Sequence, residues 1–306
     1  MSKYDALWSI LGKRATAASM PPQTNVSGIL MFDFNKCHPV DLDDLIRVGN
    51  TNDGGYILSK RQIEKTDILL SFGVNNDWTF EEDFSKNKKV KVYSYDYSTT
   101  KLDFFNPNFK MNYAGIVFNV LRLKRSRVLQ HIRYIRNQKS LHKSFMNFFD
   151  EKKGHYFVPK FIAEYDDDIN ISFASIFNGL GNIEDLSIFL KMDIEGGEYL
   201  CLPQCLPFID KINGLVIEFH ILAIADMKFE ALLDTLSEKF YVAHVHGNNY
   251  GKLIYNTNIP EVLEITLINK KLVPKEVVLS KKDYPLKNLD APCNKNKDDY
   301  KLLFPK

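Results

Sequence analysis

Asp193, Glu195 and Glu198 fall within six positions of FLKMDIEGGEYL (189–200), directly behind an apolar run that reads as a buried strand. Desolvating carboxylates is costly unless something compensates them. A cofactor, a metal ion or a sugar hydroxyl waiting at the strand's end would do so. The pattern recurs along the chain. VKVYSYD (90–96) ends on Asp96, and GLVIEFH (214–220) finishes on Glu218 and His220. YVAHVHG (241–247) puts His244 and His246 on one face by alternation. In open α/β sheets, ligands bind beyond the carboxyl ends of the strands.

Asp193, Glu218, His220 and His246 thus mark three strand ends. An Asp, a Glu and a His suit Mg²⁺ or Mn²⁺, the imidazole tilting the choice toward Mn²⁺ or another transition metal. Asp193, Glu218 and His246 are the candidate metal set. Without a metal, Glu195, His220 or His246 is a candidate base beside a catalytic Asp193. Any single strand-end histidine is more often packed than catalytic, and Glu198 reads first as a cap or partner of the helix it opens.

A second constellation lies in ILLSFGVNNDWTFEEDF (68–84), a strand, a glycine turn and a helix start. Gly73 lets the backbone approach a ligand, and the first helical amides can receive polar groups. Asn75 and Asp77 stand where a dinucleotide fingerprint would need more glycines, which suits a ligand with an amino acid moiety. Asp77 and Glu81 could accept from its ammonium group, although Asp77 serves equally as a helix cap. Asp96 follows Gly73 at about the spacing at which an acid grips ribose hydroxyls. The turns NDGGY (52–56) and HGNNYG (246–251) offer Asn52, Asp53, Asn248 and Asn249 to a hydroxyl-rich substrate, or are simply tight turns.

With these motifs the chain resembles the FkbM-type S-adenosylmethionine-dependent methyltransferases, which often methylate sugar hydroxyls. LKMDIEGGEYL is similar to that family's I-D-x-E-G-x-E signature, and RVGNTNDGGYIL (47–58) to a glycine-rich segment of one branch. LLSFGVNNDWTFE resembles that branch's cofactor turn, and LDAPCNKNKDDYKLLF its tail. The resemblance implies an α/β fold, a Rossmann-like seven-stranded sheet with its last strand antiparallel and helices on both faces. It places Gly73, Asn75 and Glu81 at the methionine part of S-adenosylmethionine, Asp96 at the ribose and Asp193 beside the methyl group. The missing second and third glycines of the usual turn depart from the pattern. Some similar sugar methyltransferases use a divalent cation, so Mg²⁺ or Mn²⁺ is a second candidate cofactor. A sugar hydroxyl is a poor acid, which requires either a base or such a cation.

The remaining sequence must position these groups. TDILLSF (66–72), VKVYSYD, SIFLKMD (187–193), GLVIEFH, YVAHVHG and EVLEITLIN (261–269) read as strands, and MKFEALLDTLSEKF (227–240) as an amphipathic helix. Residues 1–46 are expected to form a helical extension, with Leu7, Trp8, Ile10 and Leu11 used in helix packing or, as the alternative, in peripheral attachment, and 47–306 the catalytic domain. Within it, 104–149 contains nine Lys and Arg and no Asp or Glu. The net charge of the chain is +2, so the remainder sums to −7. We expect one or two basic amphipathic helices inserted over the sheet, either a solvated face or an attraction for anionic donors, glycans or membrane surfaces. No nucleic-acid-binding signature accompanies them.

Hydrophobic residues make up 45% and charged residues 25%, as in ordinary globular domains. No stretch is long and apolar enough for a transmembrane span, and none has the core of a signal peptide, so a cytoplasmic location is expected. The four cysteines lack CxxC spacing and read as buried free thiols. The expected partner is a sugar or nucleotide-sugar, and a homo-oligomer stays open. The rival readings are a noncatalytic module for anionic glycans or membrane surfaces, and a nucleotide-binding oxidoreductase, which the absent GxGxxG disfavours.

Overall fold

The computed structural model describes residues 32–182, 184–274 and 276–305. An antiparallel hairpin, β1 (Leu45–Gly49) and β2 (Gly55–Ser59), leads into the short α1 (Lys60–Glu64). Next come β3 (Ile68–Phe72), α2 (Thr79–Asn87) and β4 (Lys91–Tyr95). A helical excursion, α3 (Lys110–Leu121) and α4 (Arg125–Phe148), precedes β5 (His155–Val158). The two-residue strands β6 (Phe161–Ile162) and β7 (Asn170–Ile171) pair ahead of α5 (Phe173–Gly179). Then follow β8 (Ile188–Met192), the one-turn α6 (Glu198–Cys201), β9 (Ile212–Phe219) and α7 (Leu222–Leu236). The strands β10 (Phe240–Gly247) and β11 (Leu263–Asn269) complete the set.

Seven strands form one sheet in the order β10-β11-β9-β8-β3-β4-β5. The strands from β5 to β9 are parallel, and β11 runs antiparallel between β9 and β10. This is the Rossmann-like α/β sheet with a reversed strand that the resemblance implies. The chain winds from β3 out to β5, then returns to β8 on the other side of β3. The β3/β8 boundary is therefore the topological switch point, where such sheets leave a crevice for ligands.

Helices cover both faces. Ile68, Leu70, Phe72, Leu190, Met192, Leu215 and Ile217 point toward α5 and α7, whose Phe173, Phe177, Phe229 and Leu232 fill that side. Leu69, Val92, Phe189 and Val216 point the other way, against Phe80 and Phe84 of α2 and Phe145 and Phe148 of α4. Burial on both faces explains why ILLSF and IFLKM are nearly continuous apolar runs. Fully burying one Phe or Leu contributes about 1.5–3 kcal/mol, so these facing rows hold the strand ends in place.

Of the expected 1–46 extension, only 32–46 is among the described residues, together with none of the Leu7–Leu11 patch. There the chain makes a 3-10 turn at Phe34–Cys37 and enters β1, with no α-helix. The helix expected over 227–240 begins earlier, at Leu222, and ends at Leu236. The basic segment holds two helices: α4 buries Ile135, Phe145 and Phe148, whereas α3 buries only Asn119. All four cysteines are free and buried. No described helix is long and apolar enough to cross a membrane.

Candidate active site

The carboxyl ends of β3, β4 and β8 interlock. Gly73, just after β3, has φ +81°, and a Cβ there would sit 1.7 Å from the Asp193 carbonyl oxygen. Only glycine tolerates that approach and that conformation together. The Gly73 amide donates to Tyr95 O at 3.1 Å, and the Asp193 amide donates to Phe72 O at 3.0 Å. The loops leaving β3, β8 and β9 each contain a left-handed residue other than glycine: Asn75 (φ 50°), Glu195 (φ 55°) and Ile221 (φ 50°). Such backbone is unfavourable, above all for a β-branched residue, and strain of this kind concentrates at functional edges.

On the Asp193 side, His220 is the centre of the geometry. Glu198 is fully buried; its Oε1 accepts from the amides of Ile194 and Gly196 at 3.2 Å and from His220 Nδ1 at 3.0 Å. One carboxylate thus folds the DIEGG loop and orients the ring. Because Nδ1 must donate to a carboxylate, the neutral ring presents Nε2 as an acceptor. Nε2 lies 3.6 Å from Glu195 Oε2, 3.6 Å from Glu218 Oε1 and 3.9 Å from Asp193 Oδ1. Burial alone would lower the His220 pKa. The Glu198 hydrogen bond and the charges of Glu198, Asp193 and Glu195 outweigh burial and raise it. Lys191, from the same strand as Asp193, donates to the Gly73 carbonyl and stands 3.9 Å from Asp193 Oδ2.

The acids continue sideways. Glu218 on β9 lies opposite Glu264 on β11, which lies opposite His246 on β10. Asp53 of the β1–β2 turn joins Glu218 and Glu264 within 4.8 Å. Tyr56 contacts Asp193 and Glu218 at 3.4 and 3.5 Å, and Asn248 Nδ2 donates to Glu218 Oε1 at 2.8 Å. Burial, reinforced by Asp193, Glu264 and Asp53, pushes the Glu218 carboxyl well above the usual range. Partial desolvation and the charges of Glu264 and Asp193 push Asp53 up to about 6. Burial and the surrounding acids also raise Tyr56.

The groups that meet are not the expected metal set. Asp193 and Glu218 come together with His220, all donors within 4.8 Å. His246 instead meets Glu264 and Cys293, with Glu264 Oε2 at 2.9 Å from Nδ1 and Asp299 at 3.0 Å from Nε2. Burial opposes its protonation, yet Glu264, Asp299 and Cys293 raise its pKa well above the ordinary value. The reason is register: His246 is two strands removed from Glu218, and the C-terminal segment fills the space beside it. The segment also claims Asn52, whose Nδ2 donates to Pro292 O at 2.8 Å. Asn249 is buried and donates to Asn294 O at 3.0 Å while accepting from its amide. Both asparagines therefore fasten the tail through their side-chain amides. Of the four expected substrate residues, Asp53 and Asn248 stay with the acidic row.

The cofactor side is mixed. Glu81 is 1% exposed; Oε1 accepts from Ser71 and Oε2 has no partner. Ser94, beside Ser71 on β4, also has a buried unpartnered hydroxyl. Burial raises the Glu81 pKa against the pull of Lys191. Asp77 accepts from Thr79 N at 2.9 Å and Asn50 Nδ2 at 3.2 Å, as a turn residue ahead of α2. Asp96 differs most from expectation. Oδ2 accepts from Val74 N and Asn75 N at 3.0 and 2.6 Å, and Oδ1 from Ser98 N and Oγ and Thr99 N at 2.7, 2.5 and 3.3 Å. These donors overcome burial and lower its pKa. They also fill the roughly four lone-pair sites of a carboxylate, so no acceptor remains for ribose hydroxyls in this loop conformation.

Sequence reading missed Tyr56, Lys191 and Glu264. The last two had a signal, a lone charge inside an otherwise apolar strand (IFLKM and LEITLIN). Tyr56 had none, since aromatic residues in strands are ordinary.

No protein-family model matches the chain, and no curated protein is similar to it. Among solved structures, an rRNA methylase from Streptococcus thermophilus is 11% identical, covering 68% of this chain and 92% of that one at a TM-score of 0.32. The fibrillarin/Nop5p complex gives 13% identity, 76% and 98% coverage and a TM-score of 0.34. TrmK of M. capricolum, solved with S-adenosyl-homocysteine, gives 12%, 69%, 67% and 0.27. The fold rests on the strand order.

Proposed function

We propose that the chain is an S-adenosylmethionine-dependent O-methyltransferase acting on a sugar hydroxyl, in a nucleotide-linked sugar or a surface-polysaccharide building block. One observation carries the reading. At the switch-point edge of a Rossmann-like sheet, His220 is oriented by buried Glu198 with Nε2 facing Asp193, Glu218 and Glu195. That is a base aligned by its partner, set among groups that attract a polar acceptor.

When bound, S-adenosylmethionine supplies a methyl group already activated by its sulfonium. Its amino acid end fits this chain, because Glu81 Oε2 is a buried acceptor without a partner. Its ribose end fits only once Asp96 exchanges its loop amides for hydroxyls. His220 takes the acceptor's proton at Nε2, and Glu198 stabilises the imidazolium that forms. Asp53 and Asn248 line the acceptor side, where the raised carboxyls of Asp53 and Glu218 can also donate hydrogen bonds. In the alternative arrangement Asp193, Glu218 and His220 would hold Mg²⁺ or Mn²⁺; His220 Nε2 would then be a ligand in place of a base, and the ion would lower the hydroxyl's pKa. Glu198 on the second ring nitrogen matches the usual support of a ligating histidine.

Calorimetry with S-adenosylmethionine, S-adenosylhomocysteine and NAD tests the cofactor class. Binding of the first two is expected, and binding of NAD alone would end the reading in favour of an oxidoreductase. Mass spectrometry over a panel of nucleotide sugars, scored for a methyl-sized gain, tests the acceptor.

A further inference from the structure

The helix α3 wears its apolar residues outward. Met111, Ala114, Phe118 and Leu121 recur at steps of three and four, one helical stripe, and all are exposed. Met111 is 81% exposed, Phe118 52% and Leu121 79%, with Val117 and Val120 beside them. The turn to α4 adds Leu123, 88% exposed and left-handed. The opposite side of α3 is what touches the protein: Gly115 lies against the His131 ring, and Asn119 is buried. An ordinary surface helix has the reverse arrangement.

Cations surround this stripe. Lys110, Arg122, Lys124, Arg125 and Arg127 flank the hairpin tip, Arg122 stacks over Phe118 at 4.2 Å, and no acid occurs from 104 to 149. α4 is tied to the body at its far end by Phe145 and Phe148. An exposed apolar stripe rimmed by Lys and Arg is the composition of a segment lying in a membrane interface.

We propose that the α3–α4 tip docks on an anionic lipid bilayer, the stripe entering the headgroup boundary and the cations pairing with lipid phosphates. A second copy of the chain is a poor occupant, because two tips without acids would bring like charges together. Residues 1–31 are no better matched, since Lys3, Lys13 and Arg14 outnumber Asp5. The proposal stands independently of the methyltransferase reading. It would place the chain's activity beside lipid-carried or membrane-adjacent substrates.

The test is co-flotation of the full chain with vesicles of phosphatidylcholine alone or with about one-third phosphatidylglycerol. Juxtamembrane cations act within a Debye length, about 10 Å at 0.1 M salt. Binding is therefore expected on the mixed vesicles, with at least tenfold less on phosphatidylcholine and loss at high salt. Leu121→Asp with Leu123→Asp should abolish it with little change in melting temperature, because those side chains are 79% and 88% exposed. Arg125→Glu with Arg127→Glu should weaken it at least tenfold, and the emission of Phe118→Trp should shift to the blue on mixed vesicles only. No flotation, equal flotation on both lipids, binding that appears only after removing 1–31, or a dimer split by the Asp variants would each overturn the proposal.

Discussion

Substituting Glu198→Gln isolates the one interaction on which the proposed base depends. The carboxylate is fully buried, and its Oε1 serves two backbone amides and His220 Nδ1. Gln keeps the shape and an acceptor oxygen but removes the charge, turning charge-assisted bonds of about 1.5–3 kcal/mol into neutral ones of about 0.5–1.5. The imidazolium thereby loses about 1–2 kcal/mol of support, and the new amide hydrogens enter the place of Oε2, which has no partner. The sign follows from the raised pKa of His220. Glu198 favours the protonated ring, so its loss moves the acid limb of the kcat/KM profile to lower pH. The plateau should fall roughly 10–100-fold, the range for removing a partner that orients a functional histidine. The assay is methyl transfer across pH 5–9 (about), with thermal melts on the same samples. A purely structural Glu198 would lower the melting temperature and leave the acid limb where it was. That result would refute the reasoning.

Asp193→Ala should abolish transfer with the fold intact by circular dichroism, since the side chain is about one-third exposed; full retained activity would remove Asp193 from the mechanism. Saturating Mn²⁺ should raise the melting temperature, a ligand at 100 times its Kd adding about 2.7 kcal/mol, and EDTA should reverse this; indifference would leave His220 a simple base. Asp96→Ala strands the amides of Val74, Asn75, Ser98 and Thr99 and should destabilise the fold by about 2–4 kcal/mol; weakened cofactor binding at an unchanged melting temperature would contradict the loop-holding role. Carboxyls raised in the folded state bind protons more tightly there, so stability should fall as pH rises from 3.8, the ordinary Asp value, through about 6 for Asp53. Glu218, also raised, adds to the same fall above its ordinary 4.5, and Glu218→Gln should flatten it in pH-dependent melts.

Much of the sheet was legible because its strands are apolar runs ended by polar residues, and periodicity reports burial directly. The hairpin β1–β2 and the edge strand β5 were not. NDGGY reads as a turn and its flanks show no strand pattern, yet Gly49 and Gly55 are paired in the hairpin register. HYFV is too short to show alternation. At the site, residue type identified the acids at the strand ends but not which of them meet. That depends on strand order, and β11 enters between β9 and β10 only in three dimensions. The insertion displaced His246 from Glu218 and put Glu264 between them. Side chains fixed by the C-terminal segment, such as Asn52 and Asn249, were equally hidden, because their partners lie some 45 or more residues away in sequence.

The proposed acceptor and cofactor sides of the site differ in readiness, and hydrogen-bond accounting explains how. On the acceptor half, His220 is already oriented by Glu198, and burial together with Asp193 and Glu264 raises the Glu218 carboxyl beside it. On the cofactor half, Asp96 binds the amides of Val74 and Asn75, the turn that a nucleoside would have to pass. Opening that turn exchanges two amide bonds to a carboxylate for two hydroxyl bonds to it. Each amide bond released is worth about 1.5–3 kcal/mol and each hydroxyl bond gained is of the same order, so the exchange balances only where the freed amides of Val74 and Asn75 find acceptors in the ligand or in water. Left-handed Asn75, in the same turn, is a residue type for which such backbone costs little. Thr99 Oγ1, which donates to Asn75 O at 2.9 Å, and Lys191, which donates to the Gly73 carbonyl, hold the same turn, so opening it must keep or replace those bonds as well. The buried Glu81 Oε2 and Ser94 Oγ, both without partners, then give the incoming ligand something to satisfy that the closed loop does not.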